Sequence, residues 1–525
     1  MTDIEPNLAL PDAPAKRTKP VIWLVLLSSL LLYLSFPPFD FGPLAYVGLT
    51  GYFIAVSKAK RARTGFGYGY LMGCLYWGSS VYWIGATVSG YIHSPVGWVA
   101  LALLTAIKSL WYGLDGLISW HILKRTKGVS SAVCLAALWT FMEWCRTQTN
   151  LAMPWSLIGY TQYKFLPIIQ SADISGVFIV TLLVSLASAT LATHFIDKPR
   201  LSEVRQRVIL WSPVTALFLI MFFYGLFAMQ ISRSGTKLNI AAIQPNDRSV
   251  MELNKPSEEE LIRRADVAMA KYRSLAARAA TSNPALILWP ESTAPFSAIT
   301  NDHIREEFGN IARSTGAYQF VGTDYRDEEN RSYNAAALFD PNGKFIARYD
   351  KTWLVPMGEW VPARRFIPFS DFFHFPDDVT AGTSDQVLQA GPIRMCGLIC
   401  YESVFPIVAR KRCVLGANLL VNITNDSWAG ASSELQQHIA MVAFRAVENR
   451  RWMVSSATTG ITGFVSPQGN IRAVEPYGEQ VSTGEVELLD GVTLYARFGD
   501  WLPILCGLGI AFVLVRRIKE PATEG

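Results

Sequence analysis

Long apolar stretches separate the chain into two unlike parts. Residues 20–57 carry one charged side chain, Asp40, and residues 64–107 and 208–232 carry none. A helix needs about 20 mostly apolar residues to cross a bilayer. The pattern predicts spans at 20–36, 43–57, 67–88, 95–122, 129–145, 167–196, 208–231 and 497–515. Lys16, Arg17 and Lys19 precede the first span, as in a secretory leader. Phe36-Pro37-Pro38-Phe39 follows it instead of a small-residue cleavage site, so it is read as an anchor.

Residues 237–492 show shorter periods. LNIAAIQ at 238–244 alternates toward a strand, and Ser257-Glu-Glu-Glu260 is a capping box opening a helix to about Ala280. ALILWP at 285–290 predicts an apolar strand ending at Glu291. Strands follow at 317–325 and 333–340, and Pro341-Asn342-Gly343 turns the chain into KFIARYDK. IRMCGLIC at 393–400 and NLLVNIT at 418–424 are further strands. A helix at about 433–449 precedes RWMVSSA and ITGFVSP, with a second turn at Gly469-Asn470. Strands outnumber helices but helices separate several of them, which predicts a layered α/β sandwich.

Charge gives the spans an orientation. Basic clusters lie at the N-terminus, at Lys58/Lys60/Arg61/Arg63, at Lys124/Arg125/Lys127, at Lys198/Arg200/Arg205/Arg207 and at Arg516/Arg517/Lys519. The intervening segments 36–43 and 89–95 carry no Lys or Arg. Cytoplasmic loops are the basic ones. The expected organisation is therefore a membrane domain over 1–232 with seven transmembrane helices, a globular domain over 233–492 on the outer side, and an eighth transmembrane helix with a cytoplasmic tail over 493–525.

Composition agrees. Half of the residues are hydrophobic and 17% are charged, against about a quarter in soluble domains, which excludes a fully soluble enzyme. With 12% aromatics the chain is not disordered. The net charge of +5 sits in clusters at span ends and calls for no nucleic-acid partner. Seven cysteines show no Cys-x-x-Cys pair and no Cys/His cluster, so no disulfide framework, metal or cofactor is suggested. Cys74, Cys134, Cys145 and Cys506 fall in apolar spans and read as small buried hydrophobes. Lys108 and Asp115 lie seven apart inside a span, on one helix face. They read more readily as an intramembrane pair or snorkelling side chains than as a relay.

Three strand ends each deliver one reactive residue: Glu291, Lys351 and Cys400. A carboxylate, an ammonium and a thiol are the parts for nucleophilic acyl transfer. The carboxylate takes the thiol proton, while the ammonium favours the thiolate and steadies a tetrahedral oxyanion. No Cys–His pair competes, because His374 lies in an aromatic loop and His438 in a helix.

The words around these residues resemble the nitrilase superfamily: WPES at Glu291, YDKTWLVPMGEWVP at Lys351 and Glu359, and CYES at Cys400. Within it the chain resembles the apolipoprotein N-acyltransferase family over essentially its whole length. ALWTFMEWCR at 137–146, MPWSLIGYTQ at 153–162, QSADISGVFIV at 170–180, NDSWAG at 425–430 and LYARFGDW before the last span carry that likeness. The resemblance implies a polytopic α-helical membrane domain of about eight transmembrane helices carrying a nitrilase-like α-β-β-α sandwich. It implies Glu291 as general base, Lys351 as stabiliser of the oxyanion and intermediate, and Cys400 as nucleophile. Glu359 would support Lys351 or the incoming amine, and Tyr401 and Glu402 match the family's Cys-Tyr-Glu. The implied reaction is ping-pong: a phospholipid acylates Cys400, and a diacylglyceryl-apolipoprotein takes the chain on its α-amino group. The implied location is a bacterial inner membrane with the catalytic domain periplasmic, and no metal or cofactor is implied.

Some words depart from the family pattern. Gln244-Pro245-Asn246 replaces Gln-Gly-Asn, and Trp353 and Met357 stand for the His and Phe of His-Leu-Val-Pro-Phe-Gly-Glu. Ala429 stands for the Phe of Asn-Asp-Ala-Trp-Phe-Gly, and Thr458-Thr459 for Asn-Asn. These bear on acyl-chain preference and lid contacts. Residues 353–375 are dense in aromatics, among them Trp353, Trp360, Phe372 and Phe373, and include Arg364 and Arg365. Rings and arginines of that kind suit a lid at headgroup level, with Trp428, Trp155 and Tyr160 as further lipid-facing candidates. Two other readings remain open: a membrane-tethered amidase or nitrilase acting on a small amide, and a transporter or receptor whose outer domain only binds.

Overall fold

The computed structural model of the protein describes residues 21–91, 93–149, 151–198, 203–231, 233–247, 257–362, 364 and 378–515. Within them the apolar stretches are helical. Three helices, Val96–Arg125, Val177–Ile196 and Val204–Gln230, are long and apolar enough to cross a membrane. Ile22–Ser35, Gly42–Ser57, Val129–Cys145 and Trp501–Val515 are shorter apolar helical stretches.

The expected spans 67–88 and 167–196 are not single helices. The 67–88 span lies within a run from Ala62 to Tyr91 that passes through a π-helical turn at Gly73–Trp77 and restarts at Tyr82. The 167–196 span begins with two one-turn helices, Leu166–Ile169 and Ala172–Ser175, and its long helix starts only at Val177. Gly176 makes the break. Its φ is +65°, a conformation that glycine adopts without strain, and the Tyr495 ring fills the place of a Cβ at 2.8 Å.

Of the two readings of Lys108 and Asp115, an intramembrane pair or snorkelling side chains, the pair does not form among the described residues. Lys108 Nζ donates to the Leu151 carbonyl at 2.6 Å, while Asp115 accepts from Tyr52 at 2.7 Å and Ser119 at 3.3 Å. Lys108 and the Oδ1 of Asp115 each find a separate partner. Glu143 is a structural hub, accepting from Trp139 Nε1, the Ile158 amide and Thr181 at 2.9–3.1 Å.

The remaining residues form two six-stranded sheets. The strands are β1 (Thr236–Gln244), β2 (Leu286–Trp289), β3 (Tyr318–Arg326), β4 (Ser332–Phe339), β5 (Phe345–Asp350), β6 (Leu388–Ala390), β7 (Ile393–Ile399), β8 (Leu419–Thr424), β9 (Met453–Ala457), β10 (Gly463–Val465), β11 (Ile471–Ala473) and β12 (Gln480–Leu488). Their orders are β12-β1-β2-β3-β4-β5 and β11-β10-β9-β8-β7-β6. Alternation along each strand sends one set of side chains into the space between the sheets: Leu288, Phe320, Ile399 and Val421 meet there. The opposite set on the first sheet, including Trp289 and Phe339, packs against Tyr272 and Phe308 of the helices Glu258–Ala280 and Asp302–Thr315. Ser257 caps the first of these as expected, accepting from the Glu260 amide.

The outer face of the second sheet is covered by the helices Pro406–Val414 and Glu434–Asn449. Their core is continuous with that of the apolar helices, joining Val442 and Phe444 to Tyr160 and Val177. The helix Glu434–Asn449 is buried on every side except at Gln436. It is sealed between the sheet and the membrane helices, which completes an α-β-β-α sandwich. Buried ions pin this junction: Arg450 pairs with Asp173 at 2.7 Å, and Glu448, held by Arg445 at 2.7 Å, accepts from the Val177 amide at 3.1 Å.

Candidate active site

The site lies where strands of both sheets end. β2 runs into Pro290 and Glu291, β5 into Lys351, and β7 into Cys400. Lys351 is 1% exposed, and its ammonium bridges two carboxylates: Glu291 Oε1 at 3.1 Å and Glu359 Oε1 at 2.9 Å. Asn334, in the middle of β4, donates its Nδ2 to the same two oxygens at 2.7 Å each. Glu291 Oε2 accepts from the Asn425 amide at 2.9 Å, and Glu359 Oε2 from the Val355 amide at 2.7 Å. Each carboxylate is thus aimed by a backbone donor and by the shared Lys351–Asn334 pair. Burial opposes the charge on Lys351, but Glu291, Glu359 and Cys400 outweigh it and hold its pKa well above the ordinary lysine value.

Cys400 opens the tight turn Cys400–Val404, with φ at +51°. That φ is uncommon for a residue with a Cβ and marks a constrained elbow. Burial, and then Glu291, push the thiol well above its usual pKa, against the opposing pull of Lys351 and a hydrogen bond from Thr424. The resting sulfur is therefore a thiol, and it reacts by losing its proton to a base during attack. Glu291 is the carboxylate that acts most strongly on it.

Glu402 ties the elbow to the lysine strand. It accepts from the Ile399 amide at 2.9 Å on the nucleophile side. On the lysine side it accepts from the Thr352 amide at 2.8 Å, Thr352 Oγ1 at 2.6 Å, Tyr349 at 2.6 Å and the Trp353 amide at 3.3 Å. Arg412 lies 3.9 Å away, and both ions are fully buried. Tyr401 turns the other way. Its hydroxyl donates to the Ala152 carbonyl at 2.6 Å, and its ring stacks on Trp155 at 6.0 Å. Trp83 continues this wall, 5.6 Å from Trp155 and 5.5 Å from Trp428, while Trp353 packs on Phe405 at 4.3 Å. An aromatic surface thus runs from the nucleophile to the helix Tyr82–Tyr91.

Of the other expected lipid-facing residues, Trp360 is half-buried and Arg364 pairs with Asp378 at 2.9 Å. Trp155 and Tyr160 are buried at the junction. Arg365, Phe366, Phe369, Phe372, Phe373 and Phe375 lie outside the described residues.

Several site residues escape the sequence reading. Asn334 stands in a strand with no motif around it, and Asn425 contributes only its backbone. His438, expected merely as a helix residue, sits behind the elbow. Its Nε2 meets Ser403 Oγ at 2.7 Å, and Ser403 donates to the Cys400 carbonyl at 2.8 Å. Its Nδ1 faces Asp426 at 3.5 Å and Glu434 at 3.8 Å, and the ligand atoms of the three lie within 4.8 Å of one another. Burial disfavours the imidazolium, but Asp426 and Glu434 bring its pKa up to about 9.

Residues 28–190 match the family model described as apolipoprotein N-acyltransferase N-terminal domain, and residues 239–493 match that of carbon-nitrogen hydrolase. An apolipoprotein N-acyltransferase from Geobacter metallireducens is 33% identical over 519 residues, covering 97% of each chain. One from Pseudomonas aeruginosa is 27% identical over 518 residues, covering 95% of this chain and 96% of its own. Among solved structures, an amidase from Nesterenkonia sp. is 20% identical, covers 51% of this chain and 94% of its own, and gives a TM-score of 0.36. With a relative this similar along nearly its full length, the chain belongs to the apolipoprotein N-acyltransferase family.

Proposed function

We propose that the protein transfers a fatty acyl chain from a membrane phospholipid, through a thioester on Cys400, to the α-amino group of the N-terminal S-diacylglyceryl-cysteine of apolipoproteins. The observation that carries this is the convergence of Glu291, Lys351 and Cys400 beside an aromatic wall that leads into the membrane helices. Glu291 takes the thiol proton as sulfur attacks the phospholipid ester. Lys351, held by two glutamates, faces the developing oxyanion. Collapse expels the lysophospholipid alcohol, which receives the proton from Glu291. The acceptor amine then attacks the thioester carbonyl, the C–S bond breaks, and the proton shed by the nitrogen reaches the sulfur through Glu291, leaving the amide and the Cys400 thiol.

The eight apolar segments serve as eight spans, the shorter ones tilting little and sitting within the bundle. The basic loops lie in the cytoplasm, and the catalytic domain faces the periplasm from the inner membrane. Reporter fusions after Arg207 and Asn246 are expected to report opposite sides of the membrane. The same side for both would reverse the topology.

The test of function is mass spectrometry of the protein mixed with phospholipid. A fatty-acyl adduct is expected on Cys400, released by hydroxylamine and absent in Cys400→Ser. A membrane-tethered amidase using the same residues would instead turn over soluble amides and accumulate no lipid-derived thioester.

A further inference from the structure

Asp324 stands beside this site without a part in the steps above. In β3 it is the direct cross-strand partner of Asn334 in β4. Both side chains point between the sheets, because Phe320 and Ala336, at even spacing on the same strands, belong to the inter-sheet core. Directly opposed residues have Cβ atoms about 5 Å apart. Gly322, two residues before Asp324, lies against the base: a Cβ there would fall 2.1 Å from the Pro290 carbonyl and 2.6 Å from the Glu291 Cα. The Glu291 backbone therefore crosses β3 immediately next to Asp324.

The local charge is unbalanced. Glu291 and Glu359 share the one ammonium of Lys351, and Asp324 adds a third carboxylate that feels both glutamates. Asp324 reaches solvent at the mouth of the cleft while its carboxylate is largely enclosed by protein, and among the described residues no cation or donor pairs with it. Asn334 gives both amide hydrogens to the two glutamates, so its Oδ1 points away from them, and that oxygen is buried without a partner. A free carboxylate and an unused amide oxygen, side by side on adjacent strands, form a receptor for a cationic N–H donor.

We infer that Asp324 binds the ammonium group of the acceptor and removes its first proton, with Asn334 Oδ1 orienting it. This rests on the acyl-transfer reading above. An α-amino group has a pKa of about 8, so near neutrality it arrives protonated and cannot attack. The proton passes from R–NH3+ to the Asp324 carboxylate. The amine nitrogen then bonds to the thioester carbon, the C–S bond breaks, and the sulfur leaves as thiolate. The second nitrogen proton reaches that sulfur through Glu291. The products are the amide, the Cys400 thiol and a protonated Asp324, which returns its proton to solvent. The enclosing cleft, with Glu291 and Glu359, raises the Asp324 pKa to about 6, closer to that of the amine it serves.

The experiment separates the half-reactions. Acyl-enzyme is formed with phospholipid, then discharged either by an S-diacylglyceryl-cysteine peptide or by hydroxylamine, which is neutral at pH 7. Asp324→Asn is expected to acylate Cys400 like wild type and to react with hydroxylamine within twofold of it. Discharge by the peptide is expected to slow by about 100-fold, the scale of a lost general base, and Asp324→Glu to restore part of it. Peptide discharge within twofold of wild type overturns the inference. So does an equal slowing by both nucleophiles, or a failure of Asp324→Asn to acylate. Absence of acyl-enzyme in wild type overturns the thioester reading itself, which keeps the two failures apart.

Discussion

Lys351→Ala is expected to reduce turnover by at least about 10³-fold, with Glu291→Ala and Cys400→Ala at least as severe. Removal of a single preorganised oxyanion donor costs about 10²–10³ in rate. Lys351 does more than that, because its ammonium also holds Glu291 and Glu359 3.1 Å and 2.9 Å away. Without it two carboxylates share Asn334 as their common side-chain donor and repel each other. One of them then takes a proton, and a protonated Glu291 is no base. Groups that act as one unit lose their effects together. The double variant Glu291→Ala/Lys351→Ala should therefore be within about tenfold of either single one. The measurement is single-turnover acylation of Cys400 followed by mass. A Lys351→Ala protein that acylates at near-normal rate removes Lys351 from the mechanism, and fully multiplicative losses would separate the two residues.

The parts of this site that the sequence shows are those that sit where strands stop. Glu291 and Cys400 each follow an apolar strand and Lys351 follows the more polar strand FIARYD, and a reactive residue at such a boundary has a reason to be visible. What the sequence hides depends on pairing between distant segments. Asn334 lies in SYNAAALF and looks like strand filling, and only its register with β3 and the arrival of Glu291 over Gly322 give it work. β12 is half polar, with exposed and buried positions mixed, and becomes a strand by pairing along the whole of β1. The helix Asp302–Thr315 buries only Ile304, Phe308, Gly309, Ile311 and Ala312, a narrow face in a polar segment. In the membrane part, hydropathy marks apolar length but not continuity. The break at Gly176 follows from the Tyr495 ring arriving from the far end of the chain. Burial of the helix Glu434–Asn449 has the same origin. Its Arg445 and Glu448 look like a surface i, i+3 pair until the membrane helices close over them.

Glu402→Ala is expected to be the most destabilising single change in the catalytic domain, although Glu402 touches neither the thiol nor Lys351. Its two oxygens accept from Tyr349, from Thr352 Oγ1 and from the amides of Thr352, Trp353 and Ile399. Alanine leaves those donors buried without an acceptor, at about 1–3 kcal/mol for each that finds no water or new partner. It also leaves the fully buried Arg412 without its counter-ion at 3.9 Å. Breaking a buried ion pair from one side costs about 3–5 kcal/mol. Because these costs overlap, a loss on the order of 5 kcal/mol is the reasonable sum, a large share of the 5–15 kcal/mol that a domain possesses. At about 2–4 °C per kcal/mol for a domain of this size, the thermal midpoint should fall by roughly 10–20 °C. Glu402→Gln keeps the shape and one acceptor oxygen but turns an NH2 toward donors, so it should fall between wild type and alanine. Thermal unfolding of the purified full chain, followed by the emission of its tryptophans, measures this. A Glu402→Ala midpoint within about 2 °C of wild type would show that water or rearrangement satisfies those donors. In that case Glu402 would not be what joins the Cys400 elbow to the Lys351 strand.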